Sequence, residues 1–276
     1  MSKNLTMIVR ITCAVWMVFP AGTVQAHELF LQPQSYQLAV GGPLVAEVRV
    51  GEGFDGGRSI YNPDKFRRFE LAAEDTLQPV PGRLGDLPSV NIETQSEGLH
   101  ILIHESTDQK LRYTKFAKFE KFARHKDLTQ AIAAHEERGL PKDDFTEAYS
   151  RYAKSLIAVG NGAGQDRAFG LETEIVALAN PYTDDLWGEM AVQVFYRGEP
   201  RVDAQVEMFE RMGKEVTITW HRTDENGHAY LPVQPGGEYM LDAVVIREPN
   251  AALAKDLGAV WETLWANLTF SVPDAP

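Results

Sequence analysis

Apolar and polar residues alternate along the first part of the chain. The runs LVAEVRV (44–50) and LHILIHE (99–105) repeat with a period of two residues, which is typical of half-buried strands. Glycine-rich segments at 41–43 and 51–57 interrupt these runs in the manner of turns. Residues 27–110 therefore predict an antiparallel β-sandwich.

The period changes to three or four residues between positions 111 and 159. The segments KFAKFEKFARH, LTQAIAAHEERG and KDDFTEAYSRYAKSLI have helical spacing, and GLP (139–141) separates the last two. We expect a small helical insertion here, with Tyr149 and Tyr152 on one face of its last helix. The loop NGAGQDRAFG (161–170) follows as the best candidate for a linker.

Strand-sized runs return after residue 171. They are LETEIVAL, EMAVQVFYRG, AQVEMFER, EVTITWHRT, HAYLPV and EYMLDAVVI, with TDENG (223–227) as a hairpin turn. This spacing predicts a second antiparallel sandwich, with Trp187 and Trp220 in its core. Residues 251–264 are expected to form a helical turn or a loop before a final edge strand.

The expected fold class is mainly β, with two antiparallel β-sandwich domains of immunoglobulin-like or prealbumin-like type. The first domain spans residues 27–165 and contains the helical insertion at 111–159. The second spans residues 166–276. The cleft between two such domains is a usual place for a ligand.

The N-terminus predicts export. Lys3 and Arg10 precede a short apolar run, and VQA (24–26) has small residues at the positions typical of a signal cleavage site. The apolar run is too short to span a membrane. We expect residues 1–26 to be a signal peptide, cleaved after Ala26, and a periplasmic mature protein with no direct membrane insertion.

Composition narrows the possible partners. The net charge is −12, and the predicted signal peptide holds two of the 27 basic residues and none of the 39 acidic ones. Such an acidic protein is a poor candidate for binding nucleic acid. Cys13 is the only cysteine and leaves with the signal peptide, so a metal site in the mature chain has no thiolate ligand.

Cleavage after Ala26 would give His27 a free amino group, which can chelate a metal ion together with the imidazole ring. These nitrogen ligands suit Cu²⁺ and Ni²⁺. Because an α-amino group has a pKa of about 8, binding near neutral pH displaces mostly one proton. One chelate is not a tight site, so a second histidine or a carboxylate is needed. The alternative is that His27 merely follows the cleavage site.

His100 and His104 lie in a run that predicts a strand. Their rings would share a face about 13 Å apart, too far to hold one ion together. One of them could join His27 as a metal ligand if the N-terminus runs beside this strand. The alternative is two polar residues on an outer face.

His221 and His228 flank the TDENG turn. In a tight hairpin they could face each other within reach of a shared metal, or they could belong to an ordinary exposed hairpin. His125 and His135 have charged neighbours and are expected at the solvated surface.

Common enzyme motifs are missing from the sequence: it has no G-x-S-x-G elbow, no H-E-x-x-H, no P-loop and no dinucleotide fingerprint. We therefore expect a protein that is not an enzyme and has no organic cofactor, although a divalent transition metal remains a candidate.

Six motifs occur in order along nearly the whole predicted mature chain. They are AHELFLQP (26–33), VGEGF (50–54), AYSRYAKSLIAVG (148–160), GLETEIVALANPY (170–182), RTDENGHAYLPV (222–233) and AVWETLWANLTFSV (259–272). Together they resemble a family of bacterial periplasmic proteins of unknown function, often described as nickel or cobalt uptake (transport) components. The second half, through its TDENG and PGGEY turns, also resembles the prealbumin-like sandwich of carboxypeptidase regulatory domains. The resemblance implies export, two β-rich domains and a link to divalent metals.

Three functional hypotheses follow. The first is a periplasmic protein that binds Ni²⁺, Co²⁺ or Cu²⁺ and passes the ion to, or supports, a membrane transporter. The second is a non-catalytic interaction module that binds another envelope protein or a glycan. The third is a copper-dependent redox enzyme with an N-terminal histidine brace, which needs a second histidine beside His27.

Overall fold

The structure, a computed structural model, describes residues 27–274. The predicted signal peptide, residues 1–26, lies outside the described residues. The strands are β1 (Glu28–Pro33), β2 (Gln37–Leu38), β3 (Pro43–Glu52), β4 (Asp55–Ser59), β5 (Phe66–Ala73), β6 (Thr76–Pro79), β7 (Val90–Glu93), β8 (Gly98–Ser106), β9 (Gln109–Tyr113), β10 (Phe145–Val159), β11 (Thr173–Ala177), β12 (Glu189–Tyr196), β13 (Glu199–Pro200), β14 (Gln205–Met212), β15 (Glu215–Arg222), β16 (His228–Pro232), β17 (Glu238–Arg247) and β18 (Ala259–Ser271). The helices are α1 (Phe116–His125), α2 (Gln130–Glu137) and α3 (Ala251–Leu257).

A ten-stranded sheet runs through both halves of the described chain. Its main order is β15-β14-β17-β18-β10-β8-β5-β6, and β2 and β9 also pair with β10. The pairs β10–β18 and β10–β2 are parallel, and the other pairs are antiparallel. The packed antiparallel sheets confirm the predicted mainly β class. The division near residue 165 stays a prediction, since this sheet takes strands from both sides of it.

Two smaller sheets cover opposite faces of the large sheet. On one face, β1 and β3 bury Leu31 and Val48 against Leu102 of β8, and α1 and α2 pack beside them over Trp265. On the other face, the sheet of β11, β12, β13 and β16 buries Val192 against Leu241. Strands of the large sheet are therefore apolar on both faces over much of their length.

The prediction of a third helix in the insertion is wrong, because FTEAYSRYAKSLIAV forms β10. This strand lies in the middle of the large sheet and is buried on both sides, so its sequence lacks the alternation of a half-buried strand. Tyr149 and Tyr152, three residues apart, consequently join different apolar clusters on opposite faces. Only α1 and α2 of the expected insertion are helical.

The tryptophan predictions are also corrected. Trp187 and Trp220 were expected in a core but are 89% and 54% exposed. The expected helical turn is present as α3, but the final strand, β18, lies between β17 and β10 rather than at an edge. Trp261 and Trp265 are four residues apart on β18, so they share one face of the strand. Both are buried under α1 and α2.

Candidate functional site

His27 is held in place by a buried arginine. It lies immediately before β1, and its carbonyl oxygen accepts hydrogen bonds from Nε and Nη2 of Arg151 on β10, at 3.1 and 2.8 Å. The Arg151 guanidinium also lies over the ring of Tyr149, 4.5 Å from the ring centroid. The first residue after the predicted cleavage site is therefore fixed against the large sheet.

The next residue, Glu28, enters a buried cluster of charges. Glu207 of β14 and Asp242 of β17 are directly paired in register and so share one face of the large sheet. Glu28 approaches the same face from β1, and Lys126 follows the last residue of α1. The Lys126 ammonium donates to Glu28, Glu207 and Asp242 at 2.8, 2.6 and 2.8 Å.

This acid–lysine cluster carries more acid than base. Burial raises the pKa of Asp242 to about 7, against the opposing effect of the nearby Lys126 ammonium. Burial lowers the pKa of Lys126, but the three carboxylates together outweigh this effect and raise it, so this lysine stays charged. His125 is exposed, as expected, and its Nε2 lies 3.1 Å from Oε1 of Glu207, whose carboxylate raises the pKa of this imidazole. The cluster thus combines buried acids with one fixed cation and one titratable cation at its rim.

The three carboxylates form a possible metal-ligand set by their spacing, since their oxygen atoms lie within 4.8 Å of one another. Oxygen ligands of this kind suit hard cations. However, all three donors of the Lys126 ammonium are already matched to the three acids, so the lysine fills the position that an ion would take. We therefore interpret this set as a buried ion-pair cluster. Sequence reasoning missed it, because its members are 81 to 116 residues from Lys126 along the chain.

His100 and His104 both lie on β8, as the sequence predicts, but neither is on an outer face. They are 2% and 4% exposed. The ring of His104 packs edge-on against Phe66 and Phe69, and its Nδ1 has no hydrogen-bond partner. Burial and the charge of Arg151 lower the pKa of His104 to about 4, so its imidazole is neutral at physiological pH.

His221 and His228 do not face each other. His221 pairs with Val206 in the large sheet, whereas His228 pairs with Gln193 in the small sheet of β12. The TDENG turn therefore connects two different sheets, so the prediction of a hairpin is wrong and the alternative in which the two histidines face each other does not hold. The His221 ring contacts Thr219, and His228 lies beside Asp224.

His135 was expected at the surface, but it is fully buried. Its Nδ1 accepts a hydrogen bond from Trp261 at 2.9 Å, and its Nε2 lies 3.0 Å from the carbonyl oxygen of Pro141. Both ring nitrogens are thus used in packing α2 against β18.

Within residues 27–274, the structure brings none of the five candidate histidines into a group of three close metal-ligating side chains. His27 and His104 are nevertheless linked through Arg151, which binds the carbonyl of the first and lowers the pKa of the second.

None of the helices among residues 27–274 has the length and apolar character that a membrane span needs.

Comparison with known proteins gives a family without a function. No curated protein sequence matches the chain. Among solved structures, the D0-D1 domain of intimin is 10% identical, with a TM-score of 0.21, over 88% of this chain and 97% of its own. A tetra-tandem repeat in the extending region of a large adhesion protein is 10% identical, with a TM-score of 0.20, over 89% of this chain and 50% of its own. A DUF3823 family protein from Bacteroides uniformis is 9% identical, with a TM-score of 0.20, over 90% of this chain and 100% of its own.

These TM-scores are too low to support an argument about function. A family model described as a domain of unknown function (DUF4198) matches residues 24–247, which is most of the chain. The chain therefore belongs to the DUF4198 family.

Proposed function

We propose that this protein is an exported, non-catalytic metal-binding protein of the periplasm. Its mature form takes one Ni²⁺, Co²⁺ or Cu²⁺ ion through the amino group and the ring of His27, and passes the ion to a membrane uptake system. The proposal rests on cleavage after Ala26, which creates the amino ligand.

The observation that carries the proposal is the pair of hydrogen bonds from Arg151 to the carbonyl of His27. A metal chelate formed by a loose chain end loses much conformational entropy on binding, whereas a fixed backbone has already lost it. A buried arginine that holds the first mature residue therefore supports a preorganised ligand rather than a chance histidine.

Carboxylates lie where they could complete the coordination. Glu28 and Gly51 are the last pair of the ladder between β1 and β3, and extending this ladder by one residue would bring His27 opposite Glu52. Glu52 in turn pairs with Asp55 across β3 and β4, and both acids are exposed. An exposed carboxylate beside an amine–imidazole chelate would neutralise part of the charge of a divalent ion.

The test compares two forms of the protein that differ only at the N-terminus. One begins at His27, and the other carries one additional methionine before it. Each is titrated with Cu²⁺, Ni²⁺ and Co²⁺ by calorimetry, and bound metal is counted by native mass spectrometry. The proposal predicts one tightly bound ion in the first form and a loss of at least tenfold in affinity in the second.

A variant of the first form, Glu52→Gln, is expected to weaken binding less than the extension does. Lys110→Gln, an exposed change on β9, is the matched surface control. Equal affinity in the two N-terminal forms would move the site away from His27, and no binding by either form would refute the metal proposal.

The alternative function is an interaction module for an envelope protein or a glycan. The observation in its favour is Trp187, which is 89% exposed. It lies in a turn, with a backbone φ of 51° in the left-handed region. A Trp187→Ala variant that loses binding to isolated cell-envelope material, while the metal-free and metal-loaded proteins bind it equally, would favour this alternative.

A further inference from the structure

A cavity separate from the acid–lysine cluster lies between the sheet of β1, β3 and β4 and the strands β5, β8, β9 and β10 of the large sheet. Its volume is about 450 Å³, within the usual range for a small-molecule site. The interior is apolar, with Leu29, Val50, Phe66 and Phe69 on its walls. We call it the arginine cavity, because Arg151 lies at its inner wall.

The charges around the arginine cavity have one sign. Arg58, Lys65 and Arg151 line it, and no aspartate or glutamate does, although the whole chain has a net charge of −12. Arg58 is paired with Glu47 outside the lining. Lys65 has no acidic partner within 4.0 Å in the described part of the chain. A cationic, apolar cavity in an acidic protein is suited to an anion with an apolar body.

Arg151 is the clearest indication of an anion site. It is only 6% exposed, yet among residues 27–274 no carboxylate oxygen lies within 4.0 Å of its guanidinium. Its side-chain hydrogen bonds use Nε and Nη2 for the neutral carbonyl of His27, so Nη1 still has donors for a ligand. Burying a charge without an opposite charge is costly, and a bound carboxylate would offset that cost with charge-assisted hydrogen bonds.

His104 gives a second, independent indication. Its ring lines the same cavity, is 4% exposed, and has an Nδ1 atom with no partner. A buried polar atom without a partner is unusual in a folded protein, and a ligand at this position would satisfy it. The neutral ring can donate a hydrogen bond to an anion without adding a further buried charge.

We propose that the arginine cavity binds a small apolar monocarboxylate, such as a medium-chain fatty acid. The carboxylate is bound by Nη1 of Arg151, with His104 beside it, and the hydrocarbon tail lies against Phe66 and Phe69. Lys65, the exposed last residue of the 3₁₀ turn Pro63–Lys65, provides a positive charge at the entrance. This site goes beyond the metal proposal and does not depend on it.

The experiment is a calorimetric titration of the protein beginning at His27, with a chelator present so that the metal proposal cannot influence the result. The probes are octanoate and 1-octanol, which share a tail but differ in charge. We expect octanoate to bind with one-to-one stoichiometry, and at least tenfold more tightly than 1-octanol. This comparison needs no variant, so it stands even if a substitution prevents folding.

Variants then locate the site. Arg151→Met is expected to weaken octanoate binding at least tenfold, and Lys65→Met two- to fivefold. The matched control is Arg201→Met, because Arg201 also lacks a carboxylate partner among the described residues but lines no part of the cavity. Its octanoate affinity should stay within twofold of the wild type.

Three results would overturn the proposal. They are no octanoate binding by the wild type, equal affinity for octanoate and 1-octanol, and unchanged octanoate affinity in a folded Arg151→Met protein.

Discussion

Lys126 and Arg151 are two cations buried over the same face of the large sheet, each 6% exposed, but their surroundings differ. Lys126 donates to three carboxylates, which leaves it no free donor. Arg151 donates to one backbone carbonyl and stacks on Tyr149, with no acid within 4.0 Å in residues 27–274. The first cation is satisfied within the fold, whereas the second has binding capacity left.

The difference separates a structural role from a binding role. A closed ion-pair cluster ties α1, β1 and the large sheet together, and removing one member leaves the others buried and uncompensated. A buried cation with an unsatisfied environment destabilises the fold by itself, so its presence favours a role in holding a ligand or a chain end. Four predictions test this contrast.

The largest expected effect is that of Lys126→Met. It leaves three buried carboxylates without their cation, and we expect the free energy of unfolding to fall by about 3–5 kcal/mol. Urea unfolding measures the change. Lys121→Met, at an exposed position of α1, is the control and should change the free energy by less than about 0.5 kcal/mol. Equal losses in both variants would contradict the structural role of the cluster.

The second prediction concerns Glu147, an acid near Arg151 that is not paired with it. Burial raises its pKa from 4.5 to about 7, although hydrogen bonds from Thr263 and Tyr113 oppose the rise. Between pH 4.5 and 7, Glu147 is therefore protonated in the folded state and ionised in the unfolded state. The resulting stabilisation is complete below pH 4.5 and is lost as the pH rises through 7.

A Glu147→Gln variant removes this titration. The stability of the wild type relative to the variant should therefore fall by about 3 kcal/mol between pH 4.5 and pH 8, because each pKa unit corresponds to about 1.4 kcal/mol. Urea unfolding at several pH values measures the difference. The other acids, including Asp242, are present in both proteins and cancel. If the free energies of unfolding of the two proteins differed by the same amount from pH 4.5 to pH 8, Glu147 would be ionised in the folded state and the prediction would be wrong.

The third prediction is that Arg151→Met changes the free energy of unfolding by less than about 1 kcal/mol. The loss of two hydrogen bonds, each worth about 1 kcal/mol, is offset by removal of a buried charge without an acidic partner. In the form beginning at His27, Arg151→Met should also weaken metal binding, because the backbone of His27 loses the two hydrogen bonds that hold it. A loss of stability as large as that of Lys126→Met would remove the contrast between the two cations.

The smallest effect is expected at Trp187. Its ring is 89% exposed, so Trp187→Ala should change the free energy of unfolding by less than about 0.5 kcal/mol. Trp265→Ala, a fully buried substitution beside Lys126, should cost about 3–5 kcal/mol in the same assay. Similar losses for the two tryptophans would contradict the corrected placement of the aromatic residues.

Local pattern predicted the strands in which polar and apolar residues alternate. LVAEVRV lies in β3, where the alternation follows the burial, and LHILIHE lies in β8, where buried histidines supply the alternation although both faces of the strand are covered. The same method was wrong for β10, because a strand that is buried on both faces has no polar side to mark its period. It was also wrong for the TDENG turn, since short-range signals do not show which sheet the next strand joins.

The candidate sites depend on contacts that no local pattern contains. Arg151 and His27 are 124 residues apart in the chain. The histidines are recognisable in the sequence as potential metal ligands. Arg151, which binds His27, lies in a segment whose spacing predicted a helix. Export and metal binding stay predictions from the sequence, and the structure adds the two hydrogen bonds from Arg151 to the carbonyl of His27.

The most direct test of the metal proposal is the electron paramagnetic resonance spectrum of the protein beginning at His27, loaded with one equivalent of Cu²⁺. The account predicts a single copper species with nitrogen hyperfine couplings from an amine and an imidazole. This species is lost in the methionine-extended form, and the imidazole coupling is lost in His27→Ala, which keeps the free amino group. A spectrum that is the same in all three proteins would contradict it.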